Sequence, residues 1–172
     1  MGEVNGTLPL FSEDGGAEFS PNRSYRYRLW RRWGNAAPAY FCMLNPSTAN
    51  ETDLDPTLRR CVGFAKSWGC GGIVVVNLFA VVSPDPKVLL AHPDPVGPRN
   101  DEVLFAAADS AKTFVVGWGA FPEAKERARA IMPVLMCGDR AAMCLGTNAD
   151  GSPKHPLYLP KTSDLIPWRA EP

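Results

Sequence analysis

Residues 41–49 read FCMLNPSTA, and this stretch decides how the rest of the chain is interpreted. Its first four residues are apolar, as in a buried strand, and they run directly into Asn45, Pro46, Ser47 and Thr48. An Asn-Pro pair commonly opens a turn, which is one explanation of the stretch. The other is that the strand ends at a binding site, because open α/β sheets hold ligands outside the carboxyl ends of their strands.

Apolar segments like this one recur along the chain and alternate with helical patterns. The predicted buried strands cover residues 39–44, 73–76, 114–119 and 141–145. The predicted helices between them cover residues 56–68, 100–111 and 122–135. An alternating pattern at residues 25–29 predicts a further strand ahead of them, half exposed, with Arg26 on its exposed side.

Continuous apolar strands that alternate with helices are typical of a mostly parallel sheet covered on both faces. The sequence therefore predicts a three-layer α/β/α fold with a central, mostly parallel four-stranded sheet plus an N-terminal edge strand or hairpin. Residues 1–22 are polar and rich in glycine and acidic residues, so we predict a flexible N-terminal arm there. Residues 23–172 are predicted to form a single α/β domain.

Composition argues against several classes of protein. The 172 residues carry 18 Lys and Arg against 18 Asp and Glu, and this zero net charge disfavours strong sequence-independent binding of nucleic acid. No apolar run approaches the ~20 residues that span a bilayer, and we expect no secretory signal. The five cysteines show no disulfide-framework spacing, so we predict a cytoplasmic protein. They also show no metal-binding spacing, and we expect no metal and no cofactor.

Polar and aromatic residues follow the predicted strands at the points where they end. Asn77 and Phe79 follow the second buried strand, Trp118 follows the third, and His155 lies in the loop after the fourth. Parallel strands end at one edge of a sheet, so these residues are expected to converge on a pocket with Asn45. An Asn amide has both a donor and an acceptor, which suits the edge of a nucleobase, and an aromatic ring suits its face.

Each of these residues also has a purely structural explanation. Asn45 fits a turn, His155 an exposed loop, and Trp118 the core. Arg59 could bind a phosphate through its guanidinium fork or pair with a nearby aspartate at the surface. The arginines interleaved with aromatic residues over 25–33 could form a nucleic-acid face or the charged side of an edge strand.

The opening stretch is also part of a longer signature. Residues 43–49 (MLNPSTA), 75–79 (VVNLF), 117–119 (GWG) and 155–159 (HPLYL) together resemble an uncharacterised bacterial and phage domain family with the pattern LNPSTA…NLF…WG…HPLY. The similarity spans residues 25–168, and it implies no activity.

The same segments are more distantly similar to the uracil-DNA glycosylase superfamily, whose fold is a four-stranded parallel sheet between helices. Asn45, followed by proline, resembles its first motif, in which an Asp or Asn activates water, although Ser47 stands where the best-known members have tyrosine. Asn77 stands where that superfamily has its base-reading Asn. Residues 155–159 resemble its last motif, in which the His stabilises the departing base and the Leu wedges into the duplex.

The sequence therefore predicts a protein that recognises a nucleobase or nucleotide, and the resemblance implies hydrolysis of an N-glycosidic bond. In this hypothesis Asn45 and His155 are catalytic. The residues predicted to bind the substrate are Ser47, Thr48, Arg59, Asn77, Phe79, Trp118, Tyr158 and Leu159. The expected partner is a nucleobase, a nucleotide or a nucleic acid, and not a membrane. The alternatives are a non-catalytic module that binds a nucleotide or modified base, and a structural, oligomeric scaffold with a vestigial pocket.

Overall fold

The computed structural model describes residues 15–170, which form one mixed sheet of seven strands flanked by helices. The strands are β1 (Gly15–Phe19), β2 (Arg26–Arg32), β3 (Ala39–Met43), β4 (Gly72–Asn77), β5 (Thr113–Val116), β6 (Ala142–Cys144) and β7 (Ile166–Trp168). Their order across the sheet is β1-β2-β4-β3-β5-β6-β7. The neighbours β4, β3, β5 and β6 pair in parallel, whereas the outer pairs are antiparallel. The α/β class predicted from the sequence is confirmed.

Helices connect these strands. They are α1 (Pro56–Ser67), α2 (Pro86–Ala91), α3 (Asn100–Ser110), α4 (Pro122–Leu135) and a short 3₁₀ helix (Pro156–Tyr158). Helix α1 begins where the sequence predicts, because the Asp55 carboxylate accepts the Leu58 backbone N–H at 2.9 Å and Pro56 suits the first helical position. None of the helices within residues 15–170 has the length and apolarity needed to cross a membrane.

The helices cover both faces of the sheet, so successive residues of the central strands are buried on opposite sides. On one face, Phe41, Val75 and Val115 share a core with apolar residues of α1. On the other face, Tyr40 and Val76 share a core with apolar residues of α3 and α4. Burial on both sides explains why these strands are apolar throughout instead of alternating with polar residues.

The sheet extends further at its two edges than the sequence predicts. Strand β1 lies within residues 1–22, so the predicted flexible arm is wrong for residues 15–19, and residues 1–14 lie outside the described part of the chain. β1 is stabilised by its antiparallel ladder with β2. It has no alternating apolar pattern from which a strand could be predicted. β7 is three residues long, which is too short for a periodic pattern.

Strand β2 differs from its prediction at Arg26. The alternating pattern predicts that this side chain is exposed, yet Arg26 is 2% exposed. The prediction fails because the loop after β3 covers this side chain, whose Nη1 donates to the Ala49 carbonyl oxygen. β2 runs antiparallel to β4, so it begins at the edge of the sheet where β3 and β4 end.

Candidate functional site

A cleft of about 240 Å³ opens at the carboxyl ends of β3 and β4. It lies between the loop after β3, the turn after β4, the start of α1 and the 3₁₀ helix. The polar residues that line it are Arg26, Asn45, Ser47, Asp55, Thr57, Asn77, Ser83, His155 and Tyr158. The predicted site residues that meet in this cleft are therefore Asn45, Ser47, Asn77, His155 and Tyr158.

Asn45 links two walls of the cleft. Its side-chain Nδ2 donates to the Ser83 carbonyl oxygen at 2.8 Å and to the Pro46 carbonyl oxygen at 3.0 Å. These two acceptors fix the orientation of the amide, because only its nitrogen can donate to them. The structural role proposed for Asn45 is thus real, and its Oδ1 is the atom left to accept a hydrogen bond from a water or a ligand.

Asn77 is the last residue of β4, and its side chain is buried in a rigid setting. The Asn100 side-chain amide donates to the Asn77 and Leu78 carbonyl oxygens at 2.9 and 3.0 Å, and Arg127 Nε donates to the Leu78 carbonyl at 3.2 Å. Asn77 itself is 1% exposed, and its Nδ2 has no hydrogen-bond partner among the described residues. Such unpaired buried donors are rare in folded proteins, so this amide is a candidate to bind an acceptor from outside the chain.

The loop that carries His155 is fixed against the end of β5. A Cβ added at Gly117 would lie 3.0 Å from Pro156 Cδ, so only glycine lets the 3₁₀ helix approach this closely without displacement. The Gly119 backbone N–H donates to the Pro153 carbonyl oxygen at 3.0 Å. The two glycines of the 117–119 segment therefore help to set the position of the imidazole.

His155 presents one defined hydrogen-bonding atom to the cleft. Its Nδ1 accepts the Leu157 backbone N–H at 3.3 Å, so the proton of the neutral ring resides on Nε2. Burial lowers the pKa of His155, and the negative charge of Asp55 opposes this shift only in part. The histidine is accordingly a neutral donor through Nε2 rather than a cation at neutral pH.

Arg26 and Asp55 bring opposite charges to the same cleft. The Arg26 Nη1 donates to the Ala49 carbonyl oxygen at 2.6 Å, while its Nε has no partner and no carboxylate lies within ion-pair distance in the described chain. Burial lowers the pKa of Arg26 to about 10, against the attraction of Asp55, so the guanidinium remains charged at neutral pH. Asp55 is the single carboxylate residue among the described residues that line the cleft.

The two predicted stacking residues lie in the core instead. Phe79 is 6% exposed and Trp118 is 2% exposed, and both belong to the core on the α3 and α4 side of the sheet. Trp118 packs edge-on against Trp168, with 5.1 Å between ring centroids. Tyr158 is the aromatic residue at the cleft, and it is 83% exposed.

Three further predicted residues lie outside the cleft. Thr48 is exposed in the loop after β3, and Leu159 packs against the core on the α1 side. Arg59 is exposed on α1 and does not line the cleft. It forms no ion pair with Asp53 or Asp55, so the predicted surface pairing is wrong, while phosphate binding by Arg59 stays a prediction.

Arg26 and Asp55 are the cleft residues that sequence reasoning missed as site residues. A signal for Asp55 was present, because the helix that follows a parallel strand begins at the same edge where the strand ends. Arg26 belongs to the interleaved arginine pattern of residues 25–33, but that pattern does not predict its place in the cleft, because its burial depends on a loop 23 residues away.

The chain matches the model of the family described as protein of unknown function DUF1643 over residues 26–157, which is most of its length, and it therefore belongs to that family. This confirms the predicted membership of an uncharacterised domain family. No curated protein and no solved structure matches the chain.

Proposed function

We propose that this member of the DUF1643 family recognises a nucleobase in its cleft and hydrolyses the N-glycosidic bond that attaches the base to its sugar. The observation that carries the proposal is the Asn77 side chain, buried and with an unpaired Nδ2. An unsatisfied buried donor costs about 1–3 kcal/mol. A ligand with an acceptor at that position would recover this free energy on binding.

A nucleobase edge suits this amide better than most small molecules do. An Asn side chain offers a donor and an acceptor side by side, and base edges present the complementary pair at the same spacing. The volume of the cleft, about 240 Å³, lies just under the ~300–1,000 Å³ of typical ligand sites, which favours a small ligand such as a single nucleoside or nucleotide. Enzymes that act on a base within a nucleic acid place it in a pocket of this kind.

The exposed Tyr158 ring provides an aromatic surface at the rim of the cleft. Its centroid lies 6.0 Å from that of His155, and the two rings are tilted by 44°. Stacking of a base on an aromatic side chain contributes about 1–3 kcal/mol. We assign to Tyr158 the stacking role that the sequence had suggested for Phe79.

The reaction that this cleft suits is attack of water on the sugar. The water oxygen bonds to the anomeric carbon as the C–N bond breaks, and the bonding electron pair leaves with the base. Asn45 Oδ1 orients the water, and the Asp55 carboxylate accepts its proton. The Nε2–H of His155 donates to the negative charge that develops on the base, which afterwards takes a proton from solvent.

The arrangement of the fold supports the same proposal. Strands β4, β3, β5 and β6 form a parallel block with helices on both faces, and the cleft lies at their carboxyl edge. The resemblance to the uracil-DNA glycosylase superfamily implies a four-stranded parallel sheet between helices, and this parallel block supports that expectation. We propose that the chain shares that fold, with β1, β2 and β7 as additions at its edges.

The first test is binding. Thermal-shift and calorimetric titrations with free bases and nucleosides compare the wild type with Asn77→Ala, and Asn35→Ala, an exposed residue outside the cleft, serves as the matched control. We expect at least one ligand whose affinity falls about tenfold or more in Asn77→Ala and is unchanged in the control. Equal affinity in both variants, with the fold intact by circular dichroism, would overturn the assignment of Asn77.

The second test is turnover. Chromatography of free base released from nucleosides and short oligonucleotides measures hydrolysis, and we expect Asp55→Asn and His155→Asn to slow it by roughly 10²–10⁴-fold. Binding that depends on Asn77 without release of base from any substrate would instead favour the non-catalytic binding module.

A further inference from the structure

Arg26 is a buried cation with only a partial set of partners. Its guanidinium carries five N–H donors, and the contact of Nη1 with the Ala49 carbonyl is the one hydrogen bond it makes within the described chain. Nε is buried without a partner, and the side chain lines the cleft. Buried arginines in folded proteins are normally paired with an anion, because an isolated charge is costly to remove from water.

The start of α1 lies at the same cleft and also favours an anion. Thr57 and Leu58 line the cleft at the first turn of this twelve-residue helix. Pro56 has no N–H and the Leu58 N–H is taken by Asp55, so the Thr57 N–H is the first helical amide left for a ligand. Helix N-termini stabilise negative charge through their dipoles and free amides.

We propose that the Arg26 guanidinium and the Thr57 amide form a phosphate subsite, so that the ligand of the cleft is a phosphorylated nucleoside. This inference rests on the proposed function, because it supplies the second half of a ligand whose base contacts Asn77. The planar fork of an arginine matches the oxygens of a phosphate, and the remaining donors of Arg26 are sufficient for two such bonds. The phosphate belongs either to a free nucleotide or to a nucleotide within a strand.

Asp55 offers a second test of the subsite, because its carboxylate lies in the same cleft and repels an anion there. Asn caps a helix as well as Asp does, so Asp55→Asn removes the charge and keeps the capping hydrogen bond. A phosphate seated between Arg26 and α1 should therefore bind several-fold more tightly to this variant. A ligand without a phosphate should bind the variant and the wild type alike.

The experiment compares nucleosides with their 5′-monophosphates by calorimetry on the full chain, and trinucleotides form a second arm. The variants are Arg26→Gln and Arg31→Gln. Arg31 is the matched control because its Nη2 also donates to the loop after β3, at the Asn50 carbonyl oxygen 2.7 Å away, but it does not line the cleft. Arg26→Lys keeps the charge and tests the subsite should Arg26→Gln fail to fold.

We expect the monophosphate to bind the wild type and Arg31→Gln roughly tenfold or more tightly than the nucleoside. Arg26→Gln should lose that advantage and keep its affinity for the nucleoside, and Arg26→Lys should retain part of it. Tighter binding of the trinucleotide than of the monophosphate would assign the phosphate to a strand, and the reverse to a free nucleotide.

Two outcomes separate failure of the subsite from failure of the proposed function. Equal affinity of wild type for nucleoside and monophosphate, or equal losses in Arg26→Gln and Arg31→Gln, would overturn the subsite and leave base recognition standing. If no nucleoside binds, but inorganic phosphate raises the melting temperature of wild type and not that of Arg26→Gln, the subsite stands and base recognition is overturned.

Discussion

At the scale of single residues, Asn77 and Arg26 are buried at one cleft without the full set of partners that such groups normally have. Asn45, an amide in the same cleft, places its donor nitrogen on two carbonyl oxygens. An unpaired buried donor costs about 1–3 kcal/mol, out of a total stability of only about 5–15 kcal/mol for a folded domain. The contrast among three polar residues of one site is the reason for assigning Asn77 and Arg26 to a ligand.

His155 gives a residue-scale prediction on pH. Burial lowers its pKa in the folded state below the value of an unfolded histidine, which is about 6.5. As the pH falls through that value, the unfolded state takes up a proton that the folded state does not, so the free energy of unfolding decreases until the pH passes below the folded pKa. The decrease must be less than the ~1.4 kcal/mol per pH unit that one complete proton gives.

Urea denaturation between pH 7.5 and pH 5.5 measures this effect. Glu51 and Asp150, whose carboxyl pKa values are lowered by hydrogen bonds with Arg23 and Ser152, titrate at lower pH and do not enter this window. His155→Asn is the comparison, since its Oδ1 is an acceptor that can replace Nδ1 toward the Leu157 N–H. We expect a shallower pH dependence in the variant, and equal slopes for both proteins would show that burial of His155 does not act as described.

At the scale of elements, the contact between the 3₁₀ helix and β5 depends on Gly117. An alanine Cβ there would lie 3.0 Å from Pro156 Cδ and 3.2 Å from its Cγ, which is closer than most such contacts, so the proline must move by a few tenths of an ångström. We expect Gly117→Ala to lower the free energy of unfolding by about 1–3 kcal/mol, the usual cost of overpacking. Because the shift moves His155, ligand affinity should fall as well.

Gly63 is the matched control for this substitution. It lies within α1, and a Cβ added to it meets nothing within 4 Å. Gly63→Ala should therefore raise the free energy of unfolding by about 0.5–1 kcal/mol, because alanine loses less conformational freedom in a helix. Chemical denaturation measures the free energy of unfolding of both variants. Similar changes in the two alanine variants would contradict a close approach at Gly117.

Elements with a strong local signal could be predicted from the sequence. Helix α1 has a capping aspartate, a proline at its first position and glycines beyond its end, and its predicted and observed limits differ by one residue. Strands β3 and β4 are apolar up to the terminal Asn77 of β4, because helices cover both faces of the sheet. β1 and β7 have no such pattern. Pairing with a neighbouring strand stabilises them, and their own sequences do not show which strand that is.

At the scale of the whole molecule, the sequence predicts only those site residues that follow the ends of parallel strands. Asn45, Asn77 and His155 meet because parallel strands end at one edge, a rule that needs no side-chain detail. Phe79 and Arg26 are both in environments that the sequence does not predict. Phe79 was expected at the cleft and lies in the core, whereas Arg26 was expected at the surface and is buried at the cleft. Both depend on which loops fold over which strand ends, and residue periodicity contains no information about that.

The C-terminal strand β7 connects the edge of the sheet to the loop that carries His155. Trp168 is 8% exposed, packs against Trp118, and donates through Nε1 to the Gly151 carbonyl oxygen at 3.1 Å. We expect Trp168→Ala to lower the free energy of unfolding by about 3–5 kcal/mol, as is usual when a large buried aromatic is truncated. Ligand affinity should also fall, although Trp168 does not line the cleft.

Trp168→Phe separates the two contributions of this side chain. It keeps much of the aromatic packing and removes the N–H donor, so a loss of only about 0.5–1.5 kcal/mol is expected. Urea denaturation gives the free energies, and titration of the folded variants gives the affinities. If Trp168→Ala were as destabilised as expected but bound ligand like the wild type, the 146–160 loop would hold His155 in place by its contacts with β5 alone, and the proposed link between β7 and the cleft would be wrong.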